Sequence, residues 1–274
     1  METSLFQQYR GFLQTPDLFL ADYPGFQVFD SQTLYLNTIP PLDVPKNIRL
    51  GQRMEYFMEA SIKASQRYEL IAKNLQIIHN KKTLGEIDFL IRDLKENKVI
   101  HLELVYKFYL FDPLYSENKY ACWIGPNRKD SLPLKINKLR EHQLPLLYRP
   151  ETLPFLSKIG LKPEKIEQKV CFKAQLFTDF RSKKADFKGL NPDSQVGFWL
   201  SFQDFKAIAK AEMKFYFPIK NDWVILPAST DAINWLNSAE AFQLIENSLN
   251  QQRSVYCWIK TPDNSISRCF VVWW

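Results

Sequence analysis

The chain has 274 residues, of which 46% are hydrophobic and 24% are charged. These proportions are typical of a soluble globular protein and unlike those of a disordered or fibrous chain. Its eight glycines lie too far apart for a Walker loop, a dinucleotide-binding fingerprint or a nucleophile elbow. Its four cysteines are at least 12 positions apart, which excludes paired-cysteine zinc and redox motifs. Of the chemistries considered, those based on carboxylates and lysines remain possible for this chain.

The formal net charge is +6 and the excess is concentrated in two segments. Residues 119–140 hold six basic residues and one acidic residue, and residues 158–188 hold nine and four. Such a field attracts polyanions, which favours nucleic acid as the partner, although a solvated basic surface is the simpler interpretation. No signal peptide and no window approaching 18 apolar residues is found. We expect a cytoplasmic protein with no membrane partner and no nucleotide cofactor; its oligomeric state stays open.

The N-terminal part of the chain begins with a predicted short helix over Leu5–Leu13 and a proline-punctuated stretch. Residues 1–47 are therefore a lead-in segment and not a domain. Apolar residues at helical spacing predict one long helix from Leu50 to Lys73. A short strand over Leu75–Ile78 is expected next.

Two further strands, Leu84–Arg92 and Val99–Leu110, are predicted to form a hairpin. Alternation places Glu86 and Asp88 on one side of the first strand. One face of the second strand carries His101, Glu103, Val105 and Lys107. The hairpin thus gathers polar groups on one side.

The rest of the chain begins with a predicted helix over Leu132–Leu147, and the proline-rich passage 145–163 is the best domain boundary. We expect a nuclease-like core at 48–150 and a C-terminal α+β part at 151–274 packed on it. The elements predicted in that second part are strands Val170–Phe177, Val196–Phe202, Lys214–Pro218, Trp223–Leu226, Ser254–Ile259 and Ile266–Val272, with a helix from Asp231 to Asn247.

The hairpin carries the residues most indicative of chemistry. Asp88 and Glu103 lie on paired strands and can approach one cation, and Glu55 on the preceding helix is a possible third carboxylate. Hard oxygen ligands favour Mg²⁺ or Mn²⁺. Such an ion can activate water and bind a phosphate oxygen while a lysine offsets the developing charge. The pattern indicates phosphodiester hydrolysis.

This order of residues resembles the PD-(D/E)XK nuclease superfamily. The shared pattern is a helical glutamate, a Gly-x-x-Asp strand, a glutamate on the paired strand followed by a lysine, and a helix with a polar glutamine. The resemblance implies an α/β, restriction-endonuclease-like core with a mixed sheet flanked by helices. It also implies a magnesium-dependent nuclease with Asp88, Glu103 and Glu55 as metal ligands.

More narrowly, the chain resembles a bacterial family of unknown function, the one numbered eighteen fifty-three, along most of its length. The residues that carry this resemblance are Leu50-Gly51 with Glu55, Leu84 to Leu90, His101 to Leu104, Lys107 to Leu110, Trp123 to Asn127 with Asp130 and Leu132, and His142 to Leu144. That family is uncharacterised, so the resemblance carries over no activity.

The lysine departs from the superfamily pattern. It normally lies two residues after the glutamate, where this chain has Val105. Lys107 has the right parity but its Cα lies roughly 13 Å from that of Glu103 along a regular strand. A bulge or a long side chain closes part of that gap, and Lys138 on the following helix is a second candidate.

Simpler interpretations stand beside these. Asp88 and Glu103 are also consistent with the solvent-facing side of a half-exposed hairpin, Glu55 with a helix surface, and the tryptophans of the second half with core packing or base stacking.

The residues predicted to contact nucleic acid are Lys138, Gln143, Arg128, Lys129 and Lys135. We expect a nuclease acting on DNA or RNA, with Lys107 as charge stabiliser. The alternative is an inactive module of this fold that binds nucleic acid or a protein partner.

Overall fold

One mixed sheet organises the computed structural model, which describes residues 4–35, 38–182, 185, 187–227 and 233–274. Its strands among these residues are β1 Gln27–Val28, β2 Tyr68–His79, β3 Lys82–Asp93, β4 Lys98–Phe111, β5 Trp123–Ile124, β6 Ile166–Asp179, β7 Gln195–Ser201, β8 Lys214–Tyr216, β9 Val255–Lys260 and β10 Ile266–Val272. Eight of them follow in the order β2-β3-β4-β6-β7-β10-β9-β8, while β1 pairs with β6 and β5 with β4.

The sheet is antiparallel at both ends and parallel in the middle. β2, β3 and β4 form an antiparallel meander, and β4, β6, β7 and β10 are joined by parallel pairing. β6 lies beyond residue 150 but pairs with β4 at twelve consecutive positions, from Val99↔Ile166 to Leu110↔Phe177. The core and the C-terminal part defined from the sequence therefore share one sheet.

Helices cover both faces of the sheet, as expected for a mixed α/β fold. They are α1 Ser4–Gln14, α2 Leu50–Ala64, α3 Leu132–Lys138, α4 Leu153–Lys158, α5 Phe202–Ile208 and α6 Ser238–Leu249. Phe57 and Met58 of α2 pack on one face against Phe89 and Leu102. On the other face α3 continues through a π-turn, Leu139–Gln143, into a 3-10 helix, Leu144–Tyr148. The polar face of β4 is thus covered by α3 and by the π-turn and 3-10 helix that follow it.

The helix predicted from Leu50 to Lys73 is wrong in its second half. It ends at Ala64, because Ser65 adopts an extended conformation, and the chain enters β2 at Tyr68. The short strand expected over Leu75–Ile78 is the end of this twelve-residue strand. Pairing with β3 outweighs the local helical spacing, as tertiary context often does for a half-buried strand.

Two predictions in the C-terminal part also need correction. The strand expected over Trp223–Leu226 is instead a 3-10 helix, Lys220–Val224, in which the Trp223 indole donates to the carbonyl of Pro218 at 3.2 Å. The predicted helix start at Asp231 lies outside the described residues. α6 begins at Ser238 behind a capping box in which Asn237 and Glu240 satisfy each other's backbone amides.

Close backbone packing joins α1 to the 3-10 helix at Gly11. A Cβ on Gly11 would lie 2.0 Å from the carbonyl oxygen of Val224, which is backbone and cannot move aside cheaply. We expect Gly11→Ala to lower the free energy of unfolding by about 2 kcal/mol in urea titrations. Gly51→Ala in α2 is the matched control, because nothing lies within 4 Å of the added carbon. It should be neutral or stabilising by about 0.5 kcal/mol, and equal effects at both sites would contradict the packing argument.

Candidate functional site

The site lies where β3 and β4 separate, and we call this point the fork. The ladder between them runs from Asp93↔Lys98 to Phe89↔Leu102 and stops there. Beyond it, the Leu104 amide donates to Asp88 Oδ2 at 2.9 Å, and the Asp88 amide points to Glu103 Oε1 at 3.5 Å. The two carboxylates therefore replace the missing ladder hydrogen bonds, each accepting from the opposite strand. The structure brings Asp88 and Glu103 together.

Glu103 is fully buried and held on both oxygens. His101 Nε2 lies 2.8 Å from Oε1, and Gln143 Nε2 donates to Oε2 at 2.5 Å. The Gln168 amide nitrogen lies 3.0 Å from His101 Nδ1 and 2.6 Å from the carbonyl of Leu144, so it donates toward the imidazole. Burial lowers the pKa of His101 to about 4. A neutral imidazole with its proton on Nε2 satisfies both neighbours and fixes the Glu103 side chain.

Lys135 is the cation that faces this carboxylate pair. Its ammonium donates to Gln143 Oε1 at 2.7 Å, so Gln143 bridges Lys135 and Glu103. Burial lowers the pKa of Lys135, and the charges of Glu103 and Asp88 oppose that shift. The sequence prediction placed Lys135 only among nucleic-acid contacts. Its position two helical turns before Gln143 was the signal that the two residues share a face.

Burial shifts the two carboxyl groups of the fork toward their protonated forms. Burial raises the pKa of Asp88 well above its usual range, and the charge of Glu103 raises it further. Burial also raises the pKa of Glu103 to about 8, against the opposing effect of Lys135. Desolvation therefore outweighs the opposing charge of the Lys135 ammonium. A group that brings positive charge to the fork would lower both pKa values.

Glu55 reaches the same region from α2 through a second carboxylate pair. Asn74 Nδ2 donates to Glu55 Oε2 at 2.9 Å and to Glu86 Oε1 at 2.8 Å. Asn74 has a φ of 51°, a left-handed conformation that asparagine tolerates, inside β2. Burial raises the pKa of Glu55, and the charge of Glu86 adds to the shift. Glu55 in turn contributes to the raised pKa values of Asp88 and Glu103.

The donor chemistry of the fork fits a hard divalent cation with two protein ligands. Mg²⁺ is commonly held by one or two carboxylates, with water or phosphate oxygens completing its shell. Asp88 and Glu103 are such a pair, and a bound cation would favour their ionised forms against the burial that raises both pKa values. In the described part of the chain, no group of three or more His, Cys, Asp and Glu side chains has the geometry to hold a metal. A complete protein cage is thus not formed there.

The remaining predicted site residues lie elsewhere. Lys107 Nζ binds Asp130 Oδ2 at 2.5 Å, so this ammonium is engaged by a carboxylate outside the fork, although its charge still lowers the pKa of Lys135. Lys138 is exposed on α3, and its charge lowers the pKa of Lys135. Arg128 pairs with Asp112 and lies 3.9 Å from the Trp274 ring, while Lys129 is exposed beside it.

The fold and the fork define a mixed α/β protein with a buried carboxylate, glutamine and lysine cluster. The chain belongs to the family described as "Domain of unknown function (DUF1853)", whose model matches residues 26–272. The narrower family resemblance predicted from the sequence is thereby confirmed. Neither the search of curated proteins nor the search of solved structures found a match. Across the described ranges, no helix has the length and apolar character needed to cross a membrane.

Proposed function

We propose that the protein is a metal-dependent phosphodiesterase that cleaves DNA or RNA at a PD-(D/E)XK-like fork. The observation that supports it is the hydrogen-bonded chain from Lys135 through Gln143 to Glu103, which ends beside Asp88. Two acidic oxygen donors and one cation at a strand fork are the parts that hydrolysis of a phosphodiester needs.

In this mechanism Asp88 and Glu103 would hold Mg²⁺ or Mn²⁺. The bound ion would supply Lewis acidity and lower the pKa of a coordinated water. Gln143 fixes the carboxylate of Glu103 and the ammonium of Lys135 relative to each other. Lys135 offsets negative charge on the phosphate, and its lowered pKa suits it to exchange a proton with water. His101 holds the Glu103 side chain through the hydrogen bond to Oε1. Glu55 adds negative potential that favours a cation.

Nucleic acid would reach the fork along the exposed positive charge of α3. Lys138 lies on this helix one turn after Lys135 and is exposed. The surrounding segment, residues 119–140, holds six basic residues and one acidic residue. Neutralised phosphates release counterions, so binding of a duplex or a single strand should weaken steeply with salt.

The second candidate is a module that keeps the fold and binds nucleic acid or a protein without cleaving. It is favoured by the occupied oxygens of Glu103, which already accept from His101 and Gln143, and by the engagement of Lys107 with Asp130. A site of this kind retains the electrostatics of the fork but lacks room for productive metal coordination.

Mn²⁺ binding measured together with metal-dependent cleavage separates the two candidates. We expect calorimetry at pH 8 to show Mn²⁺ binding that Asp88→Asn weakens at least tenfold, because the substitution removes a ligand charge while keeping an acceptor for the Leu104 amide. Metal-dependent cleavage of DNA or RNA should be lost in the same variant. Asp43→Asn, at an exposed position, is the matched control and should change neither. Wild type that binds Mn²⁺ without cleaving, or that binds no Mn²⁺, would favour the binding module.

A further inference from the structure

A cavity lies beyond the far end of β4, on the side of the molecule where the parallel strands end. It has a volume of about 600 Å³, and we call it the basic pocket. Its walls come from the loop after β5, from the 3-10 helix Lys220–Val224, from the turn before β9 and from the C-terminus. The residues that define its chemistry are Asn127, Lys129, Lys220, Trp223, Arg253 and Trp273.

Hydrogen bonds join the segments that form the walls of the basic pocket. The Ser254 amide donates to Asn127 Oδ1 at 2.9 Å, and the Ser254 hydroxyl donates to the carbonyl of Pro126 at 2.6 Å. The Trp274 indole donates to the same carbonyl at 3.1 Å. The loop that carries Lys129 is therefore held against the segment that carries Arg253, and the cavity is formed before any ligand arrives.

Three cations line this one cavity, and the described residues offer them no counterion. Lys129, Lys220 and Arg253 make no ion pair with a carboxylate of the described residues, and no described residue lining the cavity is acidic. The neighbouring Arg128, by contrast, is paired with Asp112. Gathering like charges around a concave space raises the local positive potential, which is strongest where a cleft focuses it. The basic pocket suits a compact anion of more than one charge.

Aromatic surface supplies the other half of the pocket's chemistry. Trp223 and Trp273 both line it, and Lys220 Nζ lies 5.8 Å from the Trp223 ring. Trp273 Nε1 is buried and has no hydrogen-bond acceptor among the described residues, which is costly for an indole unless a ligand accepts from it. Indoles stack with planar rings, and every nucleobase has a face for such stacking.

We propose that the basic pocket binds a nucleotide, with the phosphate on Lys129, Lys220 and Arg253 and the base against the tryptophans. A cavity of this size holds a ligand of nucleotide dimensions. The pocket uses side chains and not a glycine-rich loop, so it agrees with the lack of nucleotide-cofactor motifs in the sequence. The ligand is either a free mononucleotide or the terminal nucleotide of a strand. None of the lining residues belongs to the fork, so this proposal does not rest on the proposed catalysis.

The test is calorimetric titration of the whole protein, without metal, using four probes: AMP, adenosine, inorganic phosphate and a 5′-phosphorylated pentadeoxyadenylate. We expect AMP to bind at least tenfold more tightly than adenosine and than inorganic phosphate, since only AMP offers both parts of the ligand. Tighter binding of the pentamer than of AMP identifies a strand end as the ligand. Equal or weaker binding of the pentamer identifies the free mononucleotide.

Variants connect the binding to this cavity. Lys129→Ala and Arg253→Ala should each weaken AMP binding roughly tenfold, whereas Lys158→Ala, which removes one exposed charge at the end of α4, should not. All three are surface positions, so folding is retained. Asp88→Asn should leave AMP binding unchanged, which separates this pocket from the fork. AMP binding no tighter than that of phosphate, or unaffected by both pocket variants, overturns the proposal.

Discussion

We expect Lys135→Met to lower the rate of metal-dependent cleavage by about 100-fold or more, because it removes the ammonium that Gln143 holds beside the carboxyl pair. Lys135 is positioned by Gln143 at 2.7 Å and acts on both Asp88 and Glu103. A preorganised charge in a partly buried site contributes more than the same charge in water. Single-turnover cleavage of a labelled strand at saturating Mg²⁺ measures the chemical step directly.

Two neighbouring lysines are matched controls for this substitution. Lys138→Met removes an exposed ammonium from the same helix, and Lys107→Met removes one that Asp130 already engages. Both should change the single-turnover rate less than tenfold, with Lys138→Met acting mainly on binding at raised salt. If Lys107→Met is as inactive as Lys135→Met, the strand lysine expected from the sequence is the functional one. Equal activity of all three variants would show that no single lysine supplies the charge.

The fold should lose stability as the pH rises from 6.5 to 8.5 in the absence of metal. The folded-state pKa of Glu103 is raised to about 8 by burial, so folding holds a proton that the unfolded chain has already released. Stability from this group is present at low pH and is lost as the pH rises toward 8. From the 1.36 kcal/mol that corresponds to one pKa unit, the interval removes about 2 kcal/mol, or roughly 4 °C in melting temperature.

His101 acts in the opposite direction but in a lower range. Its pKa is lowered to about 4, so it costs stability only as the pH falls below its usual value near 6.5. The interval from 6.5 to 8.5 therefore isolates the carboxylates. Asp88→Asn should raise the melting temperature at pH 8.5 and flatten the profile, because it removes one charge and relieves the repulsion on Glu103. Mg²⁺ should restore the wild-type protein's stability at pH 8.5. A flat wild-type profile would contradict the burial argument.

The local part of the site could be predicted from the sequence. Strand parity put Glu86 and Asp88 on one side and placed Glu103 beside His101, and the structure has Asp88 and Glu103 at one point of the sheet. The resemblance supplied the order of these residues along the chain. Helical spacing put Lys135 and Gln143 on the same side of their helix, although it could not say which lysine approaches the carboxylates.

The parts of the site that the sequence did not predict depend on pairing between residues distant in the chain, which local hydrophobic spacing does not encode. The fork exists because the β3–β4 ladder ends at Phe89↔Leu102, and no residue type marks that end. Asn74 falls between the helix predicted to end at Lys73 and the strand predicted over Leu75–Ile78, so its bridge between Glu55 and Glu86 could not be foreseen. The basic pocket joins residues from the loop after β5 to residues near the C-terminus, more than a hundred positions apart.

The parallel pairing of β4 with β6 has a consequence for how the protein folds. β4 carries Glu103, yet its second neighbour begins at Ile166, so a chain ending at residue 150 leaves twelve positions of β4 as an open edge. Apolar edges of that length are prone to intermolecular pairing. Contacts at such sequence separation also form slowly, since loop closure precedes their stabilisation. Synthesis of the C-terminal part is therefore a precondition for a protected edge on β4.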